Sequence, residues 1–187
     1  MRTILPYQEN PALRQIAAEI KPEDIGSPWL TQLISEMQAL LAKEKYGVAI
    51  AANQVGESVR MFIVSGRALA NHADDDNEDD DGRKKERPAL PDQVYINPVM
   101  LKMSRGRKLK HEGCLSVKGK WGNVPRAEKA TVRAYDEHGR VFTRGASGFL
   151  AHVFQHEIDH LEGTLYIDKA HDIRDDTDTE KEEEPRE

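Results

Sequence analysis

The sequence predicts a single α+β domain, and three observations carry that prediction. Helix-start signals followed by apolar residues at helical spacing occur twice near the N terminus. Strand-like runs and a hairpin pattern fill the middle, and a later helix pattern carries His156-Glu157-Ile158-Asp159-His160. A length of 187 residues suits one domain with a full core.

The first helix is expected from Asn10-Pro11, an N-cap with proline at the first helical position; Leu13, Ile16, Ala17 and Ile20 keep the period as far as Pro22. Ser27-Pro28 repeats the signal, and Leu30, Leu33, Ile34, Met37, Leu40 and Leu41 mark a second amphipathic helix. Both read as core-forming elements. The run from Gly47 to Gly56 is built of small apolar residues that permit close backbone approach, and it contains Gln54. That amide suits either a donor aimed at a ligand or a side chain satisfying a buried backbone group. Met61-Phe62-Ile63-Val64 reads as a buried strand, and strand character resumes at Val94-Tyr95-Ile96-Asn97-Pro98. Alternation from Ala130 to Asp136, a turn at Glu137-His138-Gly139 and a return through Val141-Phe142-Thr143 predict a hairpin.

Charge is unevenly distributed. The formal net charge is −6, yet residues 74–92 hold nine acids and four bases, and residues 171–187 hold nine acids and three bases. The remainder has fifteen acids and twenty bases, so the acidity belongs to two appendages and the body is basic. Residues 70–93 read as an exposed low-complexity insert, and residues 169–187 as a flexible acidic tail. A calcium loop in the insert fails, because aligning Gly82 to the required glycine puts Pro88 where a bidentate Glu is needed. The basic run Arg105, Arg107, Lys108 and Lys110 lacks interleaved aromatics and specifies no nucleic acid. Cys114 is the lone cysteine, so no intramolecular disulfide forms, which fits a reducing, cytoplasmic setting. No stretch approaches membrane-spanning length.

His156 and His160 stand one helical turn apart on one face, with Cβ atoms roughly 5–6 Å from each other, so their imidazoles can share a metal ion. Glu157 lies beside the gap, placed to take and return a proton of an activated water. Leu150, Val153, Phe154, Ile158 and Leu161 flank the motif at helical spacing, and Gly163 sits where a helix C-cap belongs. The helix is therefore expected to be substantially buried, where unpartnered imidazoles and a carboxylate are costly and a shared metal removes the problem. A catalytic tetrahedral site wants three protein ligands and one open position. Cys114, in Glu112-Gly113-Cys114-Leu115-Ser116, is the candidate third ligand, with His152 and His171 as competitors.

Taken together, the run Gly47-Val48-Ala49-Ile50-Ala51-Ala52-Asn53-Gln54, the Glu112 to Ser116 segment and Gln155-His156-Glu157-Ile158-Asp159-His160-Leu161 resemble the peptide deformylase family. Ile96-Asn97-Pro98, Val124-Pro125-Arg126, Gly163, Leu165 and Asp168 agree, and the resemblance covers roughly residues 4–168. It implies mixed, mostly antiparallel strands around a central HExxH helix, preceded by the two N-terminal helices. It implies Cys114, His156 and His160 as ligands of one divalent metal, Fe²⁺ by family habit, with Zn²⁺, Ni²⁺ or Co²⁺ able to replace it. Glu157 would be the general base and acid, and the Gln54 amide and Leu115 backbone N–H would donate to the formyl oxygen. Gly47, Val48, Ala49 and Gly113 would run along the peptide, and Val153 would help line the methionine pocket.

The implied activity is removal of the formyl group from the formyl-methionine of nascent peptides, with passing ribosome contact, a monomeric state and no membrane or specific nucleic-acid partner. Three positions depart from the family pattern: Ala49 stands where a second glycine is usual, Trp121 where a basic residue often occurs, and His152 where the residue is usually apolar. The acidic tail also differs from the basic C-terminal helix by which some members dock on ribosomes. Two rival readings follow, a general HExxH metallopeptidase and a non-catalytic deformylase-like protein that binds N termini.

Overall fold

A computed structural model describes residues 2–71 and 90–175. The acidic insert, apart from its ends, and the tail beyond residue 175 lie outside the described residues.

The first helix is Pro28–Lys43 (α1), whose Ser27 hydroxyl accepts from the Leu30 N–H at 3.3 Å, as the start signal predicts. The earlier pattern does not become an α-helix. Asn10 caps only a 3₁₀ turn, Pro11–Arg14, after which the chain runs extended and Ile16 is exposed. The reason lies in backbone partners from elsewhere in the fold. The Ala17 N–H donates to Leu161 O at 2.9 Å, Ala18 N–H to Ser58 O at 2.9 Å, and the Asn97 side chain holds both the N–H and the C=O of Ile20. These bonds replace the i→i−4 ladder that the apolar spacing suggests.

Two sheets follow. Strands Ala49–Ala51 (β1), Met61–Val64 (β2), Gln93–Met103 (β3), Lys129–Tyr135 (β6) and Val141–Ser147 (β7) form one sheet in the order β1-β2-β3-β6-β7. Arg107–Cys114 (β4), Val117–Ala127 (β5) and His171–Asp175 (β8) form the other in the order β4-β5-β8. Every ladder between these strands is antiparallel, and the β6–β7 pair is the expected hairpin. A short helix, Gly66–Asn71 (α2), follows β2.

The metal-motif helix, Gly148–Leu161 (α3), packs on one face of the larger sheet while α1 packs on the other. Alternation in β2 sorts its side chains between them: Phe62 and Val64 join Phe154 and Leu161 of α3, whereas Met61 and Ile63 join Leu33, Met37 and Leu41 of α1. A strand covered on both faces is why Met61–Val64 reads as a continuous apolar run. Phe62 stacks on Tyr95 with centroids 4.5 Å apart, and Tyr95 meets Phe154 at 5.3 Å, so the sheet grips α3 through aromatic contacts. Gly163, at φ +72°, turns the chain out of α3 and donates to His160 O at 3.0 Å.

The segment after Asp168 corrects a second expectation. His171–Asp175 is not a frayed end but an edge strand on β5, with Lys120 Nζ bonded to Asp175 at 2.6 Å. All five residues are exposed, so the strand is held by backbone pairing and leaves no apolar period to read.

Candidate active site

The site forms where α3 meets the end of the β4–β5 hairpin. Gln155 clamps the two together: its Oε1 accepts from the Ala127 N–H at 2.9 Å and its Nε2 donates to Ala127 O at 2.9 Å. This fixes the rotation of α3 so that His156 and His160 face Cys114, the last residue of β4. The ligand atoms of Cys114, His156 and His160 lie within 4.8 Å of one another, and Cys114 Sγ is 3.3 Å from His160 Nε2. Leu115 and Ser116 make the two-residue turn of the hairpin beside them.

Glu112 organises this arrangement from below. Its Oε1 accepts from Arg126 Nε at 2.6 Å and from His152 Nε2 at 3.0 Å; its Oε2 accepts from Arg126 Nη2 at 3.0 Å and from His156 Nδ1 at 2.7 Å. Arg126 also reaches Asp159 at 2.6 Å, and Asp159 takes Lys169 at 2.7 Å. Burial opposes the charge on Glu112, but the bonds from His152, His156 and Arg126 outweigh it and hold the carboxyl well below its usual range. A carboxylate that occupies Nδ1 of His156 leaves Nε2 to point at the shared centre, the usual way a second residue orients a ligating imidazole.

Gln54 sits on the 3₁₀ turn Ala52–Val55 that follows β1. Its Oε1 accepts from the Ala51 N–H at 2.8 Å, which directs its Nε2 to Cys114 Sγ at 3.5 Å and Ser116 Oγ at 3.4 Å. The oxygen thus satisfies a buried backbone group, one of the two readings of the sequence, while the nitrogen faces the cavity. The neighbouring Asn53 donates to His160 O and ties this turn to the last turn of α3.

Glu157 is buried beside the ligands, and its Oε2 has no hydrogen-bond partner, nor does His160 Nδ1. Burial pushes the Glu157 carboxyl up, against the pull of His156 and with the push of Glu112, to about 7. At His156 burial acts to lower basicity, but the Cys114 and Glu112 bonds prevail and hold it protonated well above its ordinary range. Burial, reinforced by His156, keeps His160 neutral. One thiol, two imidazoles and a buried carboxylate with an unpartnered oxygen, converging with a proton held among them, fit a divalent transition metal that takes the place of that proton.

A cavity of about 540 Å³ opens in front of these groups. Val48, Ala49, Gly113, Leu115 and Val153 line it, as do Gln54, Cys114, His156 and Glu157. His160 lies behind Cys114, and Gly47 stands outside the lining, its carbonyl taken by Arg67 at 3.0 Å. Of the competing ligands, His152 turns to Glu112 and lines the cavity, and His171 is exposed on β8. Ala49 has extended backbone and packs its methyl in the cluster of Val153 and Phe154, so the fold does not demand glycine there.

The Glu112–Arg126–Asp159 network was not foreseen as a unit, although all three residues stand in the motif segments. No spacing rule pairs them: β4 and β5 place Glu112 opposite Gly122, and Arg126 reaches back diagonally.

The sequence model of the family described as Polypeptide deformylase matches residues 1–176. The chain is 37% identical over 161 residues to Peptide deformylase 2 of Nostoc sp., covering 86% of this chain and 82% of that one. An actinonin-bound crystal structure of class I type b peptide deformylase from Acinetobacter baumannii superposes with a TM-score of 0.73 at 33% identity, covering 91% of this chain and 99% of that one. A Met-Ala-Ser-bound structure of the same enzyme gives a TM-score of 0.72 at 33% identity, over 90% of this chain and 99% of that one. With its Cys114, His156 and His160 drawn together between two sheets, the chain belongs to the polypeptide deformylase family.

Proposed function

We propose that this chain hydrolyses the formyl–nitrogen amide of N-terminal formyl-methionine, releasing formate and a peptide with a free amine. The observation that carries the reading is the convergence of Cys114, His156 and His160 beside the buried Glu157, whose Oε2 has no hydrogen-bond partner. Cys114, His156 and His160 would hold one divalent metal, Fe²⁺ in the first instance, with Zn²⁺, Ni²⁺ or Co²⁺ as substitutes. Such a metal supplies a Lewis acid at the formyl group and makes water acidic enough to ionise near neutral pH.

The chain's own residues do the rest. Glu157 takes a proton from the attacking water at the carboxylate oxygen that has no partner, and its burial suits it to give that proton back to the departing nitrogen. The water oxygen bonds to the formyl carbon and the carbon–nitrogen bond breaks. Gln54 Nε2 and the Leu115 N–H donate to the formyl oxygen as charge grows there, each worth about 3–4 kcal/mol. The peptide lies along β1, an edge strand of its sheet. Val48 O is taken by the Ser65 N–H on the β2 side at 2.8 Å, so by alternation Ala49 offers its own N–H and C=O to the cavity. Val48 and Val153 give the methionine side chain an apolar seat.

Residues 1–168, completed by the edge strand β8, serve as the catalytic domain, acting as a monomer in the cytoplasm on chains emerging from the ribosome. Among the described residues no helix is long and apolar enough to cross a membrane. A thiolate ligand separates this reading from a general HExxH peptidase, and an intact Glu157 separates it from an N-terminus-binding protein. Parallel incubation with formyl-, acetyl- and unblocked Met-Ala-Ser tests it: formate and a new amine are expected from the first alone, and cleavage of an internal bond would favour the peptidase.

A further inference from the structure

One wall of the cavity takes no part in the hydrolysis. Trp121, in the middle of β5, lines the cavity and keeps 37% of its surface exposed. Its indole covers the backbone of Gly113 on β4: a Cβ at residue 113 would come within 2.7–2.9 Å of three ring carbons. His111, two residues earlier on β4, stacks on the same indole with centroids 5.1 Å apart and planes 7° from parallel. Gly113 lets the ring lie flat against the strand and His111 braces it, so its orientation is set before any peptide arrives. The exposed Tyr46, three residues before β1, also lines the cavity.

We propose that Trp121 is a specificity-determining residue, a pre-set aromatic wall that favours substrates with an aromatic or other large apolar side chain at the first or second position after formyl-methionine. The inference rests on the deformylase reading of the site. Gly113 adjoins the ligand Cys114, so the wall begins next to the reacting centre. An extended peptide advances about 3.3 Å per residue, so the two residues after methionine travel along it. A fixed aromatic face gains most from another flat apolar group, because little side-chain freedom is lost on contact. The neighbouring Lys120 is bonded to Asp175 at 2.6 Å, so the indole rather than that charge sets the preference.

The test measures kcat/KM of the metal-loaded protein on formyl-Met-X-Ser and formyl-Met-Ala-X, with X as Phe, Trp, Leu, Ala, Asp or Lys. At one position or both, aromatic X should exceed Ala by about three- to tenfold, carried in KM rather than kcat. In Trp121→Ala that ratio falls to about one. Trp121→Leu keeps a Leu-over-Ala preference but loses the aromatic increment, and His111→Ala gives an intermediate ratio. Calorimetric binding of the unformylated products Met-Phe-Ser, Met-Ala-Phe and Met-Ala-Ser supplies a readout independent of turnover and should show the same order. Equal values for Phe and Ala at both positions, a preference for Asp, or an aromatic preference that survives in Trp121→Ala would overturn the proposal. Failure of formyl-Met-Ala-Ser to react would instead count against the deformylase reading, and the calorimetry would still decide the role of Trp121.

Discussion

The two sides of the cavity are built on different plans. On the α3 side, His156 is tied through Glu112 to Arg126 and His152, Arg126 is tied to Asp159, and Glu112, Arg126, His152 and His160 are all buried. On the outer side, Tyr46 and Trp121 are exposed, and β1 contributes three residues and one open edge. The first region fixes its side chains through charge-assisted bonds. The second offers surface and backbone to a chain of variable sequence. Chemistry sits in the braced region; of the three departures Ala49 and Trp121 fall in the other, while His152 joins the brace through Glu112.

That contrast breaks most readily on the braced side. Removing one of three ligands should cost roughly a third of the ~10–16 kcal/mol typical of a tight zinc site, so Cys114→Ala should weaken metal binding on the order of a thousandfold. Anaerobic metal titration measures this, and wild-type affinity in Cys114→Ala would remove it from the ligand set. Arg126→Leu takes the guanidinium from the buried Glu112, leaving it only His152 and His156, and removes one of the two cations on the partly buried Asp159; it should lower unfolding free energy by about 3 kcal/mol, read from chemical denaturation.

On the outer side the effects shrink. Gly113→Ala pushes a methyl into the Trp121 ring and should displace it at a cost of about 1–3 kcal/mol, seen mainly as a raised KM. Ala49→Gly should destabilise the fold by only ~0.5–1 kcal/mol, since the methyl lies in the core and the backbone is extended. Its KM should stay close to wild type; a marked fall would show that the methyl crowds the peptide.

Elements held by their own periodicity were legible. The patterns of α1, α3, β2 and the β6–β7 hairpin state both their type and their buried faces. Residues 15–20 and 171–175 were not, because their hydrogen-bond partners come from distant parts of the chain and carry no local signal. The site divides in the same way. His156 and His160 declare themselves by helical spacing, and Cys114 by being the lone thiol in a glycine-flanked segment. The braces on them depend on the diagonal reach of Arg126 across β4–β5, which only the folded register reveals. His152 stood out as a polar residue in an apolar helix, and its partner, Glu112, explains it.

The most direct test compares formate release from formyl-Met-Ala-Ser by the Fe²⁺-loaded protein and by Glu157→Ala, with metal content measured in both. Equal metal content and a loss of kcat of about 10²- to 10⁴-fold in the variant is the predicted result. Formate release that persists unchanged without Glu157, or a fully metallated wild type that releases none, would contradict the account of this site as a deformylase centre.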